Sequence, residues 1–391
     1  MGHEVIPFSM KHPSNLPTPY SKYFVTEVNY QDQTGSLVRK LKIAKSLVYS
    51  WEAKRKMKML LEDCHPQIAH FQDTSRHISP SVLTALGKKG IPVVMTLNDP
   101  TMFFPNHAFS RDDSVSEEAK GKSFYQAVKH RCIHNPLIFS MLGAMERYMP
   151  KWGGVDFKSV ALFITSSQFT KSKMVEYGIP EDKIIVLPNC IDLSLNHPTA
   201  QEDDYILFWG RLTEVGGIST LVEAIKKVPR IKLVIWGGGE LKEKILEIRR
   251  MEKLDNIYLA GPEENNTLEE LVRGSRFTIF PAICYNDCPM FLLKSLAFAK
   301  PVVASNTGSI PEYVDDGIDG LLFEPGNPAD LAEKITYLYR KPVLAKKMGV
   351  AGRLKIENKF SSGSYYPQLL KIYQNLLEGD KVEDNYHHQI N

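Results

Sequence analysis

The sequence predicts an α/β protein made of two doubly wound domains that face each other across a cleft, and three observations lead to that class. The chain has 391 residues, 43% of them hydrophobic, enough for two to three domains with real cores. From residue 205 onward, short runs rich in β-branched and aromatic residues alternate with segments of helical periodicity. A polar, aperiodic stretch, NCIDLSLNHPTAQEDD, separates that half from a first half carrying a fainter version of the same alternation.

In the first half GHEVIPFS, PQIAHFQD, IPVVMTLND, ALFITSS and KIIVLPN read as strands, with SPSVLTALGKKG and SSQFTKSKMVEYG as helices between them. The boundary falls near residues 193–204, which assigns 1–195 to the first domain and 196–361 to the second. In the second, the strands YILFWG, IKLVIWG, NIYLAG, RFTIFP and PVVAS alternate with the helices ISTLVEAIKKV, GELKEKILEIRRMEKL, NTLEELVRGS and PMFLLKSLAFA. Strands apolar along their whole length belong in a parallel sheet covered by helices on both faces. Ligands of such sheets bind beyond the carboxyl ends of the strands. The loops there are Gly210-Arg211, Gly237 to Gly239, Gly261-Pro262, Pro281 to Pro289 and Ser305 to Ser309. YYPQLLKIYQNLLE, within 362–380, reads as a helix that packs back on the first domain, and 381–391 as a tail.

No run of 18 uncharged apolar residues is present, and MGHEVIPFSM lacks a basic region followed by a long apolar one. Neither a membrane span nor a secretory signal is expected, and the expected location is cytoplasmic. The five cysteines are an odd number without zinc-knuckle spacing and read as reduced thiols. Residues 1–195 carry 24 Lys and Arg against 18 Asp and Glu, and the remainder 24 against 27, so the first half is the basic one. Much of that charge lies between Val38 and Cys64, where eight Lys or Arg share helical spacing with Trp51 and several Leu and Met. Two readings fit: a solvated helix packing its apolar side on the domain, the commoner arrangement, or peripheral contact of 38–64 with anionic lipid at the inner face of a membrane. Nucleic acid is not an expected partner, because the basic residues are not interleaved with stacking aromatics and the net charge is only +3.

Taken in order, FWGRLTEVGGISTLVEAIKKV, LVIWGGGE, NDCPMFLLKSLAFAKPVVAS and GSIPEYVDDGIDGLLFEPGNPADLAEKI resemble the donor domain of family 4 of the retaining GT-B glycosyltransferases. MTLND, VKHRC and FITSSQFTKSKMVEYGIPEDKIIVLPNCID resemble the acceptor domain of the same family. The resemblance implies a GT-B fold of two Rossmann-like domains, a nucleotide diphosphate sugar as donor substrate, no cofactor, and transfer of a hexose with retention to a glycan or lipid-linked acceptor. It also implies same-face displacement, the donor phosphate helping to deprotonate the acceptor. Arg211, after Gly210, stands where the family binds the donor diphosphate, and a guanidinium at a strand end suits bidentate phosphate recognition. Backbone groups near Gly238 and Gly261 stand where the base is held. Asp287, Cys288, Pro289 and Met290 form the turn opening a helix whose free N–H groups and dipole suit a diphosphate.

Several positions depart from the family pattern. Gly216 stands where a phosphate-binding Lys is usual, and Asn286 and Lys294 where two Glu eight residues apart are usual. Asn286 still donates and accepts hydrogen bonds, without a carboxylate's charge. Lys294 either meets a phosphate in place of the cation missing at 216 or reaches out to solvent. Asn98, in TLND, replaces a His and cannot titrate near neutrality; Asn98 and Asn286 are the candidate catalytic residues. Gln72 and Asp73 likewise stand where His and Asn are common. Near residues 114–124, where some relatives carry a cysteine cluster, only Cys132 remains, and no D-x-D carboxylate pair sits at a strand end, so no metal is expected. GHEVIPFS, read as a second strand, implies that a first β-α unit is missing.

Three functional readings stay open. The first is hexosyl transfer in polysaccharide biosynthesis. The second is a degenerate GT-B protein binding a nucleotide or a partner without turnover, and the third another GT-B enzyme such as a nucleotide-sugar epimerase. Base, sugar and acceptor are silent in the residues.

Overall fold

A computed structural model describes residues 2–27, 50–72, 78, 81–97, 110–111, 114–115, 159–176, 178–198, 203–261, 267–285 and 289–379. Helix α1 (Trp51–Cys64) begins at Ser50, whose hydroxyl accepts from the Ala53 N–H and so satisfies one of the amides a helix start leaves unpaired. Its apolar side, Ala53, Met57, Leu60 and Leu61, is buried in the core of the first half. That is the packed-helix arrangement for its described part, with Trp51 and Met59 left exposed; residues 38–49 lie outside the described residues.

The first sheet is parallel, in the order β1 (Ala69–Gln72), β2 (Val93–Leu97), β3 (Leu162–Thr165), β4 (Ile184–Val186). Helices α2 (Ser81–Lys88) and α3 (Gln168–Glu176) stand between consecutive strands. The strand expected over GHEVIPFS does not form. Residues 2–9 lie outside the sheet, and only Met10 makes an isolated bridge, to Val25. Pro7 has no N–H to give to a ladder, and the segment instead lays Ile6 and Phe8 partly buried against the core beside α1.

The second sheet has six parallel strands, β5 (Ile206–Trp209), β6 (Leu233–Trp236), β7 (Ile257–Ala260), β8 (Thr278–Phe280), β9 (Val302–Ser305) and β10 (Gly320–Phe323), in the spatial order β10-β9-β8-β5-β6-β7. The connecting helices are α4 (Ile218–Lys226), α5 (Lys242–Met251), α6 (Leu268–Gly274), α7 (Met290–Ala297) and the single turn α8 (Ile310–Tyr313). α9 (Pro328–Tyr339) and α10 (Pro342–Lys359) complete the layer. Ile206, Phe208, Leu221, Ile225, Leu233 and Ile235 are all buried in one cluster on one side of the sheet, while Leu207, Trp209 and Val234 face a second cluster on the other. Strand burial on both faces is what uniformly apolar runs require. The chain moves outward from β5 in one direction through β6 and β7, then returns to β8 on its other side, so the strand order reverses between β5 and β8.

The chain crosses between the halves twice, and the crossings hydrogen-bond to each other. Ile191 N–H donates to the Phe360 carbonyl at 2.8 Å and Ser362 N–H to the Ile191 carbonyl at 3.2 Å. Arg353 on α10 holds the first crossing with one Nη1, which donates to the carbonyls of Asn196 and Ala297, each at 2.6 Å. The final helix, α11 (Ser362–Glu378), lies against the first sheet: Ile372 is buried with Val94, Leu162, Ile164 and Ile185.

Candidate functional site

Ligands of open α/β sheets bind where the strand order reverses, beyond the carboxyl ends. Here that point is flanked by the loop after β5, which carries Gly210 and Arg211, and by the loop after β8, Pro281 to Tyr285. The loops are stitched backbone to backbone. Gly210 N–H donates to the Trp236 carbonyl and Leu212 N–H to the Gly238 carbonyl, both at 3.0 Å, and Ile283 N–H donates to the Val215 carbonyl at 3.1 Å. Such approach leaves no room for side chains. A Cβ on Gly217 would lie 1.7 Å from the Pro281 carbonyl oxygen, and one on Gly237 would lie 1.9 Å from that of Gly210. Gly217 also has φ of +75°, where glycine is the low-cost residue.

Within this frame Arg211 is exposed at the mouth of the loop, and among the described residues it makes no ion pair. Gly238 is the open position, with nothing within 4 Å of where a Cβ would stand. Gly261 follows β7 and is half-buried. Gly216 cannot simply be a lost lysine. A Cβ there would stand 2.9 Å from the Arg211 carbonyl oxygen, so the loop as it lies has no room for a lysine side chain. Pro289 is buried as the cap of α7, while Met290 and Phe291 are partly exposed, the Phe291 ring meeting Trp209 edge-on at 4.6 Å. Asn98, Asn286, Asp287 and Cys288 lie outside the described residues.

Lys294 takes neither of its two expected courses. Its ammonium pairs with the Glu269 carboxylate on α6 and stands 5.8 Å from the Trp209 ring centroid. The pairing holds the Glu269 carboxyl below its ordinary range. Lys294→Glu would set two carboxylates together and is expected to cost up to about 1 kcal/mol of stability, as partly exposed pairs do; the reciprocal double exchange with Glu269→Lys should regain most of it in a denaturant titration.

The first domain meets this face through the start of α3. The Glu312 carboxylate, from α8, accepts from the backbone N–H groups of Gln168 and Phe169, each at 2.7 Å. The neighbouring Tyr313 hydroxyl donates to the Ser166 carbonyl at 2.7 Å. Phe169 meets Tyr285 edge-on at 4.8 Å. Burial pushes the Glu312 carboxyl up, an effect the two N–H donors oppose. Sequence reasoning missed Glu312 because its partners lie 143 and 144 residues away.

It also missed His70. On β1, His70 Nε2 lies 2.6 Å from the Thr96 hydroxyl, while Nδ1 hydrogen-bonds the Tyr373 hydroxyl on α11. Gln72, singled out at the end of the same strand, sits farther from the ring, its amide nitrogen 3.4 Å from Nε2.

Comparison with known proteins agrees with this architecture. The family described as Glycosyltransferase Family 4 matches residues 1–195, and that described as Glycosyl transferases group 1 matches 194–355. The two matches adjoin and between them take in nearly the whole chain, which therefore belongs to the GT-B glycosyltransferases of the family 4 type. A glycosyltransferase of Methanocaldococcus jannaschii is 30% identical over 218 residues, covering 55% of this chain and 60% of that one. A lipopolysaccharide 1,2-N-acetylglucosaminetransferase of Salmonella typhimurium is 26% identical over 241 residues, 55% of this chain and 61% of that one. The chain thus spans roughly three fifths of the length of these relatives. Among solved structures, Anabaena HepE in complex with UDP superposes with a TM-score of 0.62 at 14% identity, over 82% of each chain. That likeness concerns the fold.

Proposed function

We propose that the chain transfers a hexose from a nucleotide diphosphate sugar to a glycan or lipid-linked acceptor, with retention, in polysaccharide biosynthesis. The observation that carries this reading is the set of fused glycine loops at the strand-order reversal with Arg211 exposed at their mouth. That arrangement offers a guanidinium and bare backbone to a diphosphate, and the first turn of α7 adds N–H groups and the positive end of its dipole. The lipopolysaccharide-building relative from Salmonella supports the acceptor class, and the UDP bound to HepE makes UDP the first nucleotide to try. Described residues supply no free second cation at 216 or 294, which favours a second reading, nucleotide binding without turnover.

Calorimetric titration with UDP, GDP, ADP and CDP tests both. Saturable binding of one nucleotide is expected, weakened roughly tenfold to a hundredfold in Arg211→Ala, since charged hydrogen bonds are worth about 1.5–3 kcal/mol. Absence of binding by the folded chain overturns both readings. Binding, with no transfer when the corresponding nucleotide sugar and an acceptor are then supplied, selects the second.

A further inference from the structure

The start of α3 is capped from two sides. The first N–H groups of a helix have no partner within it and need one from elsewhere. Ser167, just before the helix, accepts from the Thr170 N–H through its own hydroxyl at 3.1 Å, which is a local cap. The Gln168 and Phe169 N–H groups instead donate to Glu312 of the other half. An ordinary helix start can give such amides to water, so the long-range carboxylate is not needed for α3 to exist. Burial works against its charge, and a glutamate stands there all the same.

Its neighbours show what the contact aligns. Tyr313 binds the carbonyl at the end of β3, fixing strand and helix at once, and its ring packs against Phe360 beside the second chain crossing, with centroids 5.3 Å apart. Tyr285, which meets Phe169, ends the loop after β8 at the strand-order reversal. Contacts of the donor half at 285, 312 and 313 therefore converge on one stretch of the first half, 166–169.

We propose that Glu312 is a positioning residue: its carboxylate, bound to the α3 start, sets the angle at which the first domain faces the nucleotide loops. The contact itself does not depend on the proposed function; its consequence for transfer does.

Hydrogen exchange and small-angle scattering on the full chain test it, comparing the parent with Glu312→Gln and, independently, Tyr313→Phe. In the parent, the Gln168 and Phe169 amides should be protected, although such first-turn amides lack an intrahelical partner. In Glu312→Gln their exchange should quicken at least tenfold while amides from Ser172 to Glu176 hold. The scattering profile of both variants should broaden toward a more open particle, and the dissociation constant of whichever nucleotide the parent binds should stay within twofold, because the donor half builds that site. Unprotected parent amides overturn the proposal without any variant. Quickened exchange with superimposable scattering reduces Glu312 to a helix cap and overturns it as well. A parent that binds none of the four nucleotides speaks against the proposed function and leaves the exchange and scattering outcomes decisive.

Discussion

Gly217→Ala is expected to lower the stability of the second domain by about 3–5 kcal/mol, the range reserved for forced overpacking and backbone strain, and to abolish nucleotide binding with it. Two costs fall on the same methyl group. The backbone at Gly217 has φ of +75°, which an alanine tolerates poorly, and the new carbon would lie 1.7 Å from the Pro281 carbonyl oxygen, well inside contact distance. The clash is with backbone on another strand's loop, so no rotamer relieves it. The loop after β5 must part from the loop after β8, breaking the Ile283 to Val215 hydrogen bond at the point where the strand order reverses. Gly238→Ala is the control. It has open space around it, so stability should stay within about 0.5 kcal/mol, as for surface changes, while any loss of nucleotide affinity would report direct crowding of the ligand. Thermal unfolding and calorimetry on both variants check the pair. Equal stability of Gly217→Ala and parent would mean that the loops are not fused as described.

What the residues revealed and what they withheld follow from how far each interaction reaches along the chain. The second domain was legible because most of its strands are buried on both faces, so a run such as YILFWG carries its own signal, and because Gly217 and Gly237 sit where neighbouring backbone leaves no room for a Cβ. GHEVIPFS carried the same apolar signal without forming a strand. A short apolar run does not distinguish a strand from an extended segment laid on a core, and Pro7 was the sign against it. Lys294 was legible as a departure, but its partner Glu269 belongs to another helix. Glu312 and His70 were silent for the same reason, since a carboxylate in a turn and a lone histidine on a strand acquire meaning only from Gln168 and Phe169, or from Tyr373. The long-range polar contacts, which set how the two halves and the last helix are held, are therefore the part that needed the structure.

Acid should loosen the last of these contacts. Burial lowers the His70 pKa from 6.5 to about 4, so the folded state keeps the ring neutral, as its bonding to Thr96 and Tyr373 accommodates. Between those two values the unfolded chain carries the proton and the folded chain does not. Stability therefore rises with pH through this window and is lost as pH falls from about 6.5 toward about 4, with about 2 kcal/mol gone at pH 5 and about 3 kcal/mol over the whole interval. Protonation gives Nδ1 and Nε2 a hydrogen each at a largely buried ring, where a charge has poor solvation. The structural consequence is specific: the buried charge falls where α11 meets β1, so the first domain and the C-terminal helix should come apart before the second domain's sheet does. His70→Gln removes the titrating group, and its stability at pH 5 relative to pH 7 should fall by about 2 kcal/mol less than the parent's. Denaturant unfolding at the two pH values measures that difference directly. Parallel losses in parent and variant would assign the acid sensitivity to other groups and leave the His70 to Tyr373 contact a packing detail.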